Sequence, residues 1–177
     1  MQRAYEELII QIPDHPKPGV TFQDITPLFD NANAFKAVVD DLAAHFEGQG
    51  ITKVMGAEAR GFIVGAAVAY ALGAGFVPAR KPGKLPRTTI NAAYDLEYGS
   101  DELEIHTDAL TSADSVLIVD DLVASGGTAV AMAELTQACG AQLAGFGFLM
   151  ELSFLHPREK IARVTDAEVF SLITVAS

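Results

Sequence analysis

The 177-residue chain has a single cysteine, Cys139, so no internal disulfide can form, and this fits a reducing compartment. Positive charge is scarce: 12 Lys and Arg stand against 23 Asp and Glu, a formal net charge of −11. Such a balance argues against loose binding to nucleic acid or to an anionic membrane. No lysine follows the paired glycines at Gly126-Gly127, and no G-x-G-x-x-G opens a helix. Nucleoside triphosphate hydrolysis and dinucleotide binding therefore lose their usual phosphate loops. The start Met-Gln-Arg-Ala-Tyr-Glu-Glu places acidic residues where a signal peptide needs an apolar core, so a cytoplasmic location is expected. No repeat, linker or low-complexity tract interrupts the chain. Charge is absent from Gly61 to Ala79, nearly the length of a membrane span. Gly61, Gly65, Gly73, Gly75 and Pro78 punctuate that run, so it reads instead as a buried helix to about Leu72, a glycine turn and a short buried strand.

What is present is concentrated between residues 116 and 128. Val116 to Val119 is an apolar, β-branched run suited to a strand buried on both faces of a parallel sheet. Asp120 and Asp121 follow, with a loop of small residues from Ala124 to Thr128 and a helical run from Ala129 to Cys139, with Gly140 as its stop signal. Ligands of open α/β sheets sit just past the carboxyl ends of the strands. Gly126 and Gly127 let backbone N–H groups turn onto an anion, the helix N-terminus adds positive potential, and Ser125 and Thr128 add hydroxyls. A glycine pair alone would mean only a tight turn. In register with an apolar strand and two carboxylates, it points to a phosphate beside a diol, that is, a ribose phosphate.

The rest of the chain reads as alternating strands and helices. Residues 3 to 11 look like a short amphipathic helix, ended by Pro13, Pro16 and Pro18. Ala34 to Phe46 has helical spacing, with Phe35, Val38, Val39, Leu42 and Phe46 on one face. Short strands are expected at Val54 to Ala57 and Phe76 to Ala79, a hairpin at Thr89 to Glu104, and closing strands at Leu143 to Met150 and Val169 to Thr174. This pattern predicts an α/β fold, a mostly parallel sheet flanked by helices, in one domain spanning 1–177. Arg80, Lys81, Lys84 and Arg87 fall within eight positions, so an acidic protein gathers a third of its positive charge in one Gly/Pro-containing loop. A small polyanion is the expected partner of that loop. Cys139 reads as packing among Val130, Met132 and Leu135. His15, His45 and His156 read as surface or loop residues, and His106 is ambiguous.

The 116–128 segment resembles the phosphoribosyl-pyrophosphate motif of the type I phosphoribosyltransferases. Four further segments extend the likeness over almost the whole chain, with the adenine-using branch the closest match. They are Pro18 to Pro27 (Pro-Gly-Val-Thr-Phe-Gln-Asp-Ile-Thr-Pro), Glu58-Ala59-Arg60-Gly61-Phe62, Arg80 to Pro86 and Leu96-Glu97-Tyr98-Gly99. The resemblance implies a small hood over the base site, to which residues 1–33 contribute. It implies transfer of a phosphoribosyl group from phosphoribosyl pyrophosphate to adenine N9, with AMP and pyrophosphate as products. Ala124 to Thr128 would bind the 5′-phosphate, and Asp120 and Asp121 the ribose hydroxyls. Glu58, Ala59 and Arg60 would face the pyrophosphate, with a non-proline cis bond near Glu58-Ala59. Arg80, Lys81 and Lys84 would belong to a mobile loop that closes on the pyrophosphate and excludes water. Glu97 would be the general acid/base and Tyr98 would stabilise the closed loop. Thr21, Phe22 and Leu152 would hold the adenine ring. Magnesium is expected on the donor's oxygens rather than in an all-protein site. A homodimer is expected too, with Arg80 a candidate to act across a two-fold axis. Three positions depart from the family's usual residues: Gln23 for arginine, Ala59 for serine and Ser125 for threonine. Two other readings stay open at this point, a same-fold transferase for xanthine, hypoxanthine or guanine, and a regulator that senses phosphoribosyl pyrophosphate.

Overall fold

The computed structural model describes residues 5–95 and 99–177. Five parallel strands form its centre: β3 (Lys53–Ala57), β4 (Gly75–Ala79), β7 (Ser115–Val123), β8 (Gln142–Leu152) and β9 (Glu168–Val175), in the spatial order β4-β3-β7-β8-β9. The chain leaves β3 toward β4 on one side and returns to β7 on the other. The order therefore reverses between β3 and β7, and the carboxyl ends of those two strands define the crevice where such sheets place ligands.

The sheet is buried on both faces, as the β-branched run predicted. In β7, Val116 and Ile118 enter the core beneath α4 (Gly127–Ala138), whereas Leu117 and Val119 enter the core beneath α2 (Ala32–Phe46) and α3 (Arg60–Leu72). Alternate residues pointing to opposite faces is the strand's period of two. In α2 the buried stripe is Ala34, Val38, Leu42, Ala43 and Phe46, a helical period, with Phe35 and Val39 at its margins. Asn31 caps the helix, its side chain accepting from the Ala34 N–H at 3.0 Å, a bond worth about 1 kcal/mol against alanine. After Arg60, α3 carries the first part of the uncharged run, and it is capped by Gly73, whose φ of 67° suits glycine. Among the described residues, no helix is long and apolar enough to cross a membrane.

Two smaller pieces frame the crevice. A ribbon of β1 (Ile10–Ile12) and β2 (Phe22–Asp24) pairs antiparallel and leads into α1 (Thr26–Asp30). The hairpin of β5 (Thr89–Asp95) and β6 (Ser100–His106) packs against α4, and Arg80 pairs with Glu104 to tie the end of β4 to it. α5 (Pro157–Ala162) follows β8.

Two expectations are corrected. Residues 5 to 12 are a single 3₁₀ turn at Glu6–Leu8 followed by β1, not an amphipathic helix. Ile10 and Ile12 take extended conformations because β2 offers them partners, Ile10 opposite Asp24 and Ile12 opposite Phe22. Second, the central strand does not stop at the carboxylates. It continues to Val123, since Leu122 and Val123 pair with Met150 and Glu151 of the longer β8.

Candidate active site

The crevice holds two adjoining cavities. One, about 400 Å³, is lined by Glu58, Ala59, Arg60 and Gly61 beyond β3, by Lys81 and Tyr94, and by Asp120, Asp121 and Thr128. The other, about 220 Å³, is formed by Ala124 to Ala129 with Val123 and Phe148. They share Asp120, Leu122 and Thr128. An elongated ligand with charge at both ends would therefore pass over the two carboxylates.

Asp120 and Asp121 differ in their surroundings. The Asp121 carboxylate is buried, with its Oδ2 2.8 Å from Arg60 Nε. The Asp120 carboxyl points at the backbone of α3: a Cβ added to Gly61 would lie 2.5 Å from Asp120 Oδ1. No real Cβ tolerates that approach, so glycine after Arg60 is a packing requirement of Asp120. Asp120 Oδ1 also accepts from the Asp121 N–H at 2.9 Å. Burial of the carboxyl, then the charge of Asp121, push the Asp120 pKa well above the usual carboxylate value.

Around the larger cavity, cations are held at its mouth by carboxylates. The Glu58–Ala59 peptide bond is cis. Glu58 itself faces the basic loop: its Oε1 accepts from the Lys81 N–H at 2.7 Å and lies 3.3 Å from Arg80 Nε. Its side chain thus anchors the root of that loop. The Lys81 ammonium reaches Asp101, whose hydrogen bond raises the lysine's pKa and lowers the aspartate's. The Tyr94 hydroxyl donates to the same Asp101 at 3.3 Å and hydrogen-bonds Thr128, while burial raises its pKa. Lys84 is exposed, and its carbonyl accepts from Arg80 Nη1 at 3.4 Å. Arg87, counted in the basic cluster, pairs away from the cavity with Asp108 at 2.5 Å and with His106 Nδ1 at 3.2 Å.

The expected base-binding residues occupy separate elements. Thr21 is exposed before β2, Phe22 is half-buried in β2 with the His15 ring edge-on at 5.3 Å, and Leu152 is half-buried at the end of β8. The ribbon stands close enough for Arg60 to help lower the Asp24 pKa, after the larger effect of hydrogen bonds from Thr26. Gln23, at the unusual position, is buried. Glu97 and Tyr98 lie outside the described residues. Tyr94, Asp101 and the Asp120–Gly61 contact had no sequence signal of their own; Tyr94 and Asp101 emerge only from the hairpin register, where they are paired.

Fold and site define a class: a parallel α/β protein with a phosphate-type loop and paired carboxylates at its switch point. The family model described as phosphoribosyl transferase domain matches residues 27–173, and the chain belongs to that family, among its adenine phosphoribosyltransferases. It is 53% identical over 173 residues to the adenine phosphoribosyltransferase of Aeromonas salmonicida, covering 97% of this chain and 94% of that protein. The crystal structure of adenine phosphoribosyltransferase from Thermoanaerobacter pseudethanolicus superposes with a TM-score of 0.91 at 46% identity, over 97% of this chain and 98% of that one. The Saccharomyces cerevisiae enzyme, solved with an imino-altritol bisphosphate and adenine, gives a TM-score of 0.87 at 41% identity, over 95% and 97%.

Proposed function

We propose that the chain transfers the 5-phosphoribosyl group of phosphoribosyl pyrophosphate to N9 of adenine, releasing pyrophosphate and forming AMP. The observation that carries this reading is the pair of cavities meeting at Asp120, Leu122 and Thr128. One end is a glycine loop at a helix N-terminus, suited to a monophosphate. The other has Arg60 and Lys81 at its wall, suited to a pyrophosphate. The carboxylates stand between, where the ribose hydroxyls would lie.

In this reading Ala124 to Thr128 bind the 5′-phosphate through backbone N–H groups and the Ser125 and Thr128 hydroxyls. Asp120 and Asp121 accept from the ribose hydroxyls and favour the positive charge that builds on the sugar as the C1–pyrophosphate bond breaks. Arg60, Arg80, Lys81 and Lys84 neutralise the leaving pyrophosphate, while Glu58 and Ala59 shape that end, Glu58 by holding the loop root. Arg80 lies beside its own chain's Glu58, which favours action within one chain over action across a dimer axis. Phe22 and Leu152 sandwich the adenine, and Thr21 reads its edge through the backbone. Glu97 manages the proton of the purine imidazole ring as N9 attacks, with Tyr98 holding the loop closed. Asp120 and Asp121 are hard oxygen donors on the wall of the larger cavity, so the pair fits a substrate-held magnesium. Magnesium bound with the donor would neutralise part of the pyrophosphate charge. The whole 1–177 chain acts as one unit, a cytoplasmic homodimer with residues 1–33 completing the hood.

Incubation with phosphoribosyl pyrophosphate, magnesium and a mixture of purine bases tests the reading. AMP is the expected product. Dominant GMP, IMP or XMP would overturn the adenine assignment.

A further inference from the structure

The short helix α5 packs directly on the phosphate loop. A Cβ at Gly126 would lie 3.1 Å from the Pro157 carbonyl oxygen, and one at Gly127 would lie 3.6 Å from Lys160 Nζ. An ion pair between a buried carboxylate and a half-exposed guanidinium fixes α5 there. Glu151, 2% exposed at the end of β8, receives Arg158 Nε at 2.9 and 3.1 Å and Nη2 at 2.8 Å. Ser171 Oγ donates to the same carboxylate at 2.7 Å, and Arg158 Nη1 donates to the Val169 carbonyl at 2.9 Å. α5 is thereby clamped to both β8 and β9.

Within the clamped helix, charges are matched except one. Arg158 is held by Glu151, and Glu159 lies 3.2 Å from His156. Lys160 makes no ion pair among the described residues, in a protein of net charge −11. Its ammonium is held half-buried at the N-terminal end of α4, where the helix dipole is positive. A cation there is unfavourable by itself, and an anion beside it reverses the sign.

We infer that Lys160 is a further ligand of the substrate's 5′-phosphate, drawing it onto the loop from the α5 side. This rests on the reading of Ala124 to Thr128 as the phosphate site. The ligand class is a ribose 5-phosphate monoester, shared by the donor substrate and the nucleotide product. Lys160 is in the lining of neither cavity; its ammonium stands beside Gly127, on the α5 flank of the loop.

Calorimetric titration of the full chain with ribose 5-phosphate, and separately with magnesium pyrophosphate, tests the inference. Lys160→Met should weaken ribose 5-phosphate roughly tenfold, the usual scale for one charge-assisted hydrogen bond. Pyrophosphate should bind within twofold of the unmodified protein, and Lys160→Arg should restore most of the loss. Thr128→Ala serves as the reference for the loop. If Thr128→Ala weakens ribose 5-phosphate and Lys160→Met does not, the inference fails while the loop reading stands. If neither weakens it, the loop reading fails and takes the inference with it. Equal losses for both ligands in Lys160→Met would also overturn the inference, because they would mark a general field rather than a contact.

Discussion

Two acidic sites stand side by side at the carboxyl ends of neighbouring strands, and they are built on opposite principles. Glu151 of β8 lies across from Val123 of β7, three residues past Asp120. Burial by itself would raise the Glu151 pKa, but hydrogen bonds from Arg158 and Ser171 outweigh it and the net shift is downward. Every oxygen of that carboxylate is partnered. Asp120 is half-buried on the wall of both cavities, and desolvation and then the charge of a second carboxylate, Asp121, send its pKa up. The saturated site holds a helix in place. The frustrated one faces a cavity. Asp121 has Arg60 as a partner, but Asp120 makes no ion pair among the described residues, so the contrast separates architecture from chemistry on adjoining strands.

The comparison breaks most visibly at Asp120. Asp120→Asn should cut turnover by about 10²–10³-fold, the scale for losing one preorganised charge in a transition state. It should also raise the melting temperature of the ligand-free protein at neutral pH. Steady-state kinetics and calorimetry on one preparation check both. An inactive but less stable variant would mean that Asp120 is a structural acid like Glu151.

Gly61→Ala probes the same group without altering its charge. The added Cβ would collide with Asp120 Oδ1 at 2.5 Å, pushing that oxygen off the Asp121 N–H that it accepts from at 2.9 Å. A displacement near 1 Å is expected to cost about 10²-fold in kcat/KM. Kinetics near the unmodified rate would show that Asp120's position is not critical.

Much of this was legible from residues. The double carboxylate, the glycine loop and the basic cluster each follow from local chemistry, and the sheet followed from a β-branched run with matched apolar faces. What was not legible depends on distant partners. Ile10 and Ile12 became a strand only because Phe22 to Asp24 lies opposite them. The central strand outran its carboxylates only because β8 is long enough to pair with Leu122 and Val123. Arg87 looked like part of a polyanion site until the hairpin delivered Asp108 and His106 to it. Glu151 and Arg158 are seven apart in sequence, but their partners Val169 and Ser171 arrive through β9. Lys160 is an ordinary helical lysine until α5 is docked on the phosphate loop.

At the saturated site the expected effect moves from activity to stability. Arg158→Met leaves a buried carboxylate without its main donors. Breaking a buried pair costs about 3–5 kcal/mol, and the half-exposed guanidinium, 53% accessible, lowers that to about 2 kcal/mol through solvent screening. For a chain of this size that is about 4–8 °C in melting temperature. Turnover of the folded fraction should stay within several-fold, since only the seating of α5 and Lys160 is loosened. A variant that kept its stability but lost turnover would invert the comparison.

The smallest effects, and the most diagnostic, are in pH. The two sites carry shifts of opposite sign, so their stability linkages run in opposite directions. Glu151 has a folded pKa below its ordinary value of 4.5. Its contribution is present above that value and is lost as pH falls through the folded pKa. The stability gap between the unmodified protein and Arg158→Met should therefore be full at neutral pH and narrow in acid. Asp120 has a folded pKa above its ordinary value of 3.8. Below 3.8 both folded and unfolded chains carry it protonated, and substitution by asparagine changes little. Above 3.8 the unfolded chain ionises first, so the unmodified protein loses stability until pH passes the folded pKa, and the loss then levels off. The advantage of Asp120→Asn should thus be near zero in acid and open toward neutral pH, while the disadvantage of Arg158→Met opens over the same interval with the opposite sign. Chemical denaturation at a series of pH values reads both curves. Parallel curves, with both variants destabilised together, would mean that the two acids serve the fold alike.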